Sequence, residues 1–231
     1  MKTIGLIGGM SWESSQHYYR IINEEVKKQL GGFHSAQCIM YSIDFHEIEL
    51  LQRNGEWERM GVLLAEAATR LELAGAELLV LCTNTMHKVA DQIQQVVSIP
   101  LLHIADVTAK HIKQQNVVRV GLLGTKYTME QEFYKSRLEV NNLHVLIPNE
   151  EEREIIHRVI FDELVHGIIK NDSREEYNNI MKNLVEQGAQ GIILGCTEIG
   201  LLVRQEDASV PLFDTTIIHA QEAVRFALGE A

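Results

Sequence analysis

Short apolar runs alternate along the chain with longer stretches whose apolar residues return every three to four positions. The first run, Thr3-Ile4-Gly5-Leu6-Ile7, reads as a buried strand ending in Gly8-Gly9-Met10-Ser11. From about Trp12 to Leu30, the spacing of Tyr18, Ile21, Ile22 and Val26 predicts a helix, stopped by Gly31-Gly32. Gln37–Ile43 predicts a second strand, Asp44–Arg53 a polar loop or short helix, and Trp57–Leu73 a helix broken at Ala74-Gly75. Leu78–Leu81 is a strand that passes through Cys82-Thr83-Asn84-Thr85 into a helix reaching about Val96. A short strand over Ser98–Leu102 and a helix from Ala105 to Gln115 follow.

The pattern then restarts. Val118–Thr125 is a strand with a Gly-Thr turn, echoing the first strand at an offset of 116, Gly5 to Gly121. Another strand is expected over 143–147, helices over 151–169 and 173–187, a strand over Gly191–Leu194 and a last helix over about 216–228. Ser209-Val210-Pro211-Leu212-Phe213 repeats Ser98-Ile99-Pro100-Leu101-Leu102 at an offset of 111. Gly75-Ala76-Glu77 matches Gly188-Ala189-Gln190 at 113, and the same offset sets Thr83 opposite Cys196. A rival register would pair Cys82 with Cys196. The first is preferred because it turns Cys82 into the strand packing, as it does Gly195.

Three matched segments argue for an internal duplication. Alternating strands and helices mean parallel sheets with crossover helices. The expected fold is therefore α/β, with two pseudo-symmetric domains, each a four-stranded parallel sheet flanked by helices. The first domain is expected to take residues 1–115 plus 215–231, the second 116–214. Ligands of such sheets sit beyond the carboxyl ends of the strands. The polar turns at Gly8–Ser11, Thr83–Thr85, Thr125 and Cys196–Glu198 all lie there, so they are expected to converge on an active site in the inter-domain cleft.

Composition narrows the classes. A net charge of −11 with no basic run argues against nucleic-acid binding, which needs clustered Lys and Arg. The apolar runs fall far short of a membrane span. Three cysteines, Cys38, Cys82 and Cys196, do not make a disulfide framework. The N-terminal segment enters a strand with no signal-peptide pattern, so a cytoplasmic location is expected.

Cys196 is the strongest candidate for chemistry. It sits at a strand end and helix start, where N–H groups are expected to lower a thiol pKa from about 8.5 toward neutrality. Cys82 and Cys38 lie inside apolar strands and read as structural. Thr83 can donate or relay a proton, or simply cap a helix. Gly8-Gly9-Met10-Ser11 fails as a dinucleotide fingerprint and fits better as a nest of backbone donors for a carboxylate. The ten histidines show no metal spacing, and His46-Glu47-Ile48-Glu49 is not H-E-x-x-H. His87, four residues after Thr83, reads as a hydrogen-bonding neighbour of the site. The acidic run Asn149–Glu154 reads as a solvated helix start.

These residues together make the whole chain resemble the aspartate/glutamate racemase family. The marks are Ile4-Gly5-Leu6-Ile7-Gly8-Gly9-Met10, Thr83-Asn84-Thr85-Met86-His87 and Gly195-Cys196-Thr197-Glu198. The resemblance implies two pseudo-symmetric α/β domains with the active site between them, a homodimer, and catalysis without pyridoxal phosphate or any other cofactor or metal. It further implies two cysteines on opposite faces of the substrate α-carbon. Here the first of them falls on Thr83, which resembles a Thr/Cys subgroup of amino-acid racemases. By that resemblance Cys196 takes the proton from an L-amino acid, aspartate or glutamate, and Thr83 helps return one. Substrate-binding positions carry over as Met10, Gln52, Asn84, Thr85, Thr125 and Thr197. Phe161 and Val165 stand where many aspartate racemases have a Tyr and a Lys, and Gln52, Arg53 or His166 are left to anchor a side-chain carboxylate. Two other functions remain open: a one-cysteine decarboxylase of malonate-type acids and a non-catalytic amino-acid-binding protein.

Overall fold

A computed structural model describes residues 1–230. The chain forms two compact units. One comprises Met1–Ile104 with the residues from His219 onward, the other Ala105–Ile218.

The first unit contains β1 (Ile4–Gly8), α1 (Trp12–Leu30), β2 (Cys38–Ser42), α2 (Phe45–Arg53), α3 (Trp57–Leu73), β3 (Leu78–Leu81), a 3₁₀ turn (Thr85–Val89), α4 (Ala90–Gln94) and β4 (Leu101–Leu102). Its four strands are parallel, in the order β2-β1-β3-β4. Side chains alternate across the sheet. Ile7, Leu79 and Leu81 pack with Met60, Leu64, Ala68 and Leu71 on one face. Ile4, Leu6, Leu78, Val80 and Cys82 pack on the other with Tyr18, Ile22, Val26, Ala220 and Val224. Helix α1 starts where Ser11 accepts the Ser14 N–H and stops where Gly31, at φ 71°, closes back on the Lys27 carbonyl. Gly9 has φ 94°, and a Cβ there would collide with the Ile43 backbone, so only glycine fits this turn.

The second unit contains α5 (Ile104–Lys113), β5 (Arg119–Gly124), α6 (Lys126–Glu130), α7 (Glu132–Val140), β6 (His144–Leu146), α8 (Glu150–Asp162), a 3₁₀ turn (Leu164–His166), α9 (Asn171–Glu186), β7 (Ile192–Gly195), α10 (Ile199–Leu202), a second 3₁₀ turn (Gln205–Asp207), β8 (Leu212–Asp214) and α11 (Thr215–Leu228). Helix α5 begins at the last residue of the first unit, and α11 carries residues of both. The sheet is again parallel, ordered β6-β5-β7-β8. Buried Tyr134, Tyr177, Val159, Leu184, Leu194 and Phe213 fill its core.

The strand pairings reproduce the sequence offsets. Ile7 pairs with Leu81, and Leu123, 116 residues after Ile7, pairs with Leu194, 113 residues after Leu81. Leu79 pairs with Leu101, and Ile192 with Leu212, an offset of 111 between Leu101 and Leu212. This register keeps Thr83 in step with Cys196. Cys82 instead continues the face of Leu78 and Val80 into the core, its thiol 3.7 Å from the Val80 carbonyl.

Two expected elements come out shorter, each for a visible reason. The strand expected over Ser98–Leu102 shrinks to two residues. The Ser98 and Ile99 N–H groups donate to Glu72 Oε1, at 2.8 and 3.2 Å, and Pro100 has no N–H to give. The helix expected over 151–169 stops at Asp162, because the buried Glu163 carboxylate binds Ser173 Oγ at 2.7 Å and Lys170 Nζ at 3.1 Å, away from any helical path. The acidic run is only partly solvated. Glu152 is buried in a capping box with Asn149 and accepts from Asn183 Nδ2 at 2.6 Å.

Candidate active site

In the first unit, β3 ends at Leu81 and the chain turns through buried Cys82, Thr83 and Asn84 before the 3₁₀ turn. Thr83 is 8% exposed. It is not a helix cap, contrary to the simpler expectation: Asn84 holds the N-cap position, and no side chain caps the turn. The Thr83 N–H closes onto the Leu81 carbonyl at 2.8 Å. Its carbonyl accepts from His87 Nδ1 at 2.7 Å. Ser14 Oγ reaches the Cys82 carbonyl at 3.4 Å, joining the start of α1 to the same turn. Thr85 is buried and opens the 3₁₀ turn.

Burial drives the His87 imidazole well below its ordinary pKa, helped by His103 and His219 nearby. Its Nδ1 faces a carbonyl and its Nε2 receives the Ile104 N–H at 3.2 Å. Only the neutral Nδ1–H tautomer satisfies both.

In the second unit, β7 ends at Gly195 and Cys196 begins the turn into α10. Cys196 is 8% exposed. Its thiol donates to Glu198 Oε2 at 3.0 Å, and Thr197 Oγ1 donates to the same oxygen at 2.7 Å. The expectation of an acidified thiol is reversed. Burial and the Glu198 carboxylate push the Cys196 thiol well above its ordinary pKa. The Thr197 and Glu198 N–H groups pull the other way but are outweighed. A charge held beside the sulfur and the cost of taking a thiolate from water dominate a helix of four residues.

The remaining carried-over positions are buried, but several are already engaged. Met10 packs in the first unit's core. Gln52 is buried on α2. Thr125 is the N-cap of α6, its Oγ1 accepting the Thr128 N–H at 3.3 Å. The Gly8–Ser11 turn is a poorer donor nest than its sequence suggests, because the Gly9 N–H is spent on Ser15 Oγ at 2.7 Å. Arg53 is exposed and paired with Glu49 at 2.6 Å, and His166 is exposed. Phe161, half-buried on α8, packs its ring against His157 at 4.7 Å, and Val165 lies in the 3₁₀ turn after α8. Among the described residues, no group of three His, Cys, Asp or Glu side chains could hold a metal ion. No helix of the described residues is long and apolar enough to cross a membrane.

Two features of the site escaped the sequence. Glu198 was visible as part of the turn, and its spacing of two from Cys196 could have flagged it as the thiol's partner. The contact of His87 with His219, itself bonded to Tyr18, left no local signal, since those residues come from distant helices.

Two parallel sheets, each carrying a small polar residue at the matched strand end, define a duplicated α/β protein. Residues 7–223 match the family model described as Asp/Glu/Hydantoin racemase. The chain belongs to that racemase family. A crystal structure of a candidate Asp/Glu racemase from Yersinia pestis is 58% identical, covers 99% of this chain and 100% of its own, and superposes with a TM-score of 0.92. An aspartate racemase homologue from Pyrococcus horikoshii OT3 is 40% identical over 99% of this chain and 100% of its own, at a TM-score of 0.86. The broad specificity amino-acid racemase RacX of Bacillus subtilis is 23% identical over 229 residues, 96% of either chain.

Proposed function

We propose that the protein racemises an acidic amino acid, L-aspartate or L-glutamate, at Cα without a cofactor, with Cys196 removing the proton and Thr83 returning one. The observation that carries this reading is the bond from the Cys196 thiol to Glu198. A resting thiol cannot take a proton. Glu198 Oε2 can accept the thiol proton as substrate arrives, and the thiolate so formed takes the α-proton. The electron pair left at Cα spreads into the substrate carboxylate, which is what makes the carbon acid accessible. Thr83, at the matching step of the other sheet, relays a proton from water to the opposite face, so that its hydroxyl is restored, and Glu198 gives up to solvent the proton it took from the thiol. The chemistry needs both groups to reach one α-carbon from opposite sides. Asn84, Thr85 and Thr197 supply polar groups for the α-carboxylate, with Met10, Gln52 and Thr125 lining the rest.

The site is asymmetric. A threonine hydroxyl is a far weaker acid than a thiol, so Thr83 serves poorly as the base for the D-isomer. The asymmetry therefore shows in isotope exchange on each face and in kcat and KM taken separately, because an equilibrium ratio of one holds kcat/KM equal in the two directions. Phe161 and Val165 offer no charge to a side-chain carboxylate, and one relative is named for broad specificity. The substrate panel accordingly extends to neutral amino acids. The homodimer and the cytoplasmic location belong to this reading too.

The test is incubation of the purified chain with each L-amino acid in D2O. Deuterium at Cα together with D-isomer supports the assignment. Neither signal with L-aspartate or L-glutamate rejects those substrates, and CO2 release from a malonate-type acid would mark a lyase instead.

A further inference from the structure

We propose that His87 is a positioning residue for Thr83, holding the carbonyl of that residue so that its hydroxyl is presented at a defined place. The inference rests on the reading that Thr83 acts at the substrate α-carbon.

The bond itself is short, 2.7 Å from His87 Nδ1 to the Thr83 carbonyl. The imidazole is in turn held from behind. Its Nε2 accepts the Ile104 N–H at 3.2 Å, at the junction of β4 and α5. Its ring meets His103 at 4.5 Å and His219 at 5.8 Å between centroids. His219 is itself locked: Nε2 donates to the Leu102 carbonyl at 2.8 Å, and Nδ1 accepts the Tyr18 hydroxyl at 3.0 Å. All four of these side chains are buried. Thus α1, the β4–α5 junction and α11 all bear on one peptide group at the end of β3.

A turn of this kind folds without such an apparatus, and the second unit shows it. The offset of 113 that matches Thr83 to Cys196 places Gly200 where His87 would be. There the Cys196 carbonyl takes a plain backbone bond from the Ile199 N–H at 3.1 Å. Satisfying one buried carbonyl therefore does not require an imidazole, let alone an imidazole braced by a second one and a tyrosine. A network this connected restricts movement of the residue it grips. Threonine, as a poor acid with one rotatable hydroxyl, gains most from being held at a set distance, because a misplacement of about 1 Å can cost roughly 100-fold in rate.

The experiment separates the two faces of the α-carbon. With L-aspartate and L-glutamate in D2O, deuterium in recovered L-isomer reports the Cys196 side and appearance of D-isomer reports the Thr83 side. His87→Leu should lower D-isomer formation roughly 10- to 100-fold while L-isomer exchange and KM stay near wild type. His87→Asn, whose amide N–H can stand where Nδ1–H stood, should recover most of the loss. His87→Gln, whose amide lies farther out, should not. A folded His87→Leu with an unchanged ratio of D-isomer formation to L-isomer exchange overturns the proposal, as does equal damage by all three variants. Thr83→Val is the control. If it loses D-isomer formation while His87→Leu does not, only the positioning role fails; if it loses nothing, the role of Thr83 fails and takes this one with it. Should the variants not fold, ¹⁵N spectra of the wild-type histidines decide. A neutral His87 protonated at Nδ1 is expected, and the Nε2–H tautomer would overturn the proposal.

Discussion

The two strand ends occupy the same step of the same topology and are built from opposite electrostatics. After β3, the turn is held by the neutral His87 imidazole, and among the described residues no carboxylate bonds Thr83. After β7, the turn has no histidine, and its thiol leans on Glu198. A hydroxyl needs no help to keep its proton, so the first turn can be devoted to placement. On the proposed function, the second turn supplies the acceptor that a thiol needs in order to lose its proton. Duplication supplied one backbone, and the side chains behind it diverged.

The largest effect that would test this contrast is removal of the sulfur. Cys196→Ala should abolish deuterium exchange into L-substrate by on the order of 10³- to 10⁴-fold, read by mass spectrometry of recovered amino acid. Exchange that survives would mean that the base lies elsewhere.

Next comes acid stability of the histidine-bearing turn. His219 is fully buried and its pKa is lowered to about 4. Between that value and about 6.5 the unfolded chain binds the extra proton and the folded chain does not. Stability is therefore complete above about pH 6.5 and falls by roughly 3 kcal/mol as pH drops through the window to about 4. Burial lowers His87 too, with the same sign. Urea midpoints measured at pH 7, 5.5 and 4.5 should fall in step, and His219→Phe should flatten the slope. A flat wild-type profile would show that the imidazoles titrate normally.

Glu198→Gln should sharpen the other half. Without the carboxylate the Cys196 thiol should ionise more readily and alkylate faster with iodoacetamide at neutral pH, while turnover falls by about 100-fold. Turnover that rises together with alkylation would reduce Glu198 to a brake on the thiol. Smallest of all, Cys82→Ala should cost about 1 kcal/mol of folding stability and leave exchange untouched, since that sulfur packs only in the core. A catalytic defect there would revive the rival alignment of Cys82 with Cys196.

Periodicity carried the fold far, and the reason is local. Helix α1 is bounded by Ser11 and by Gly31, and α3 by the turn at Ala74-Gly75, signals that lie in the chain itself. The duplicated offsets carried the pairing, because Ile7–Leu81 and Leu123–Leu194 are the same ladder step written twice. The misreadings arose where a distant side chain intervened. Glu72 took the N–H groups of Ser98 and Ile99, and Glu163 drew the chain out of α8 toward Ser173. At the two turns, the matched register was legible and the charge was not. The helix-start argument for Cys196 counted backbone dipoles and left out burial and a carboxylate two residues on. His219, which meets the His87 ring, comes from α11, 132 residues later, and its own partner Tyr18 from α1, so no pattern within a turn could announce them.

The brevity of β4 and β8 has a consequence for self-association. Each sheet finishes on that side with a strand of two or three residues, Leu101–Leu102 and Leu212–Asp214. So short a rim offers a foreign strand almost no ladder to extend, which protects the sheet from growing into a ribbon. The opposite rim of the first sheet, Cys38–Ser42, is five residues long, and any intermolecular strand addition there would meet a usable edge.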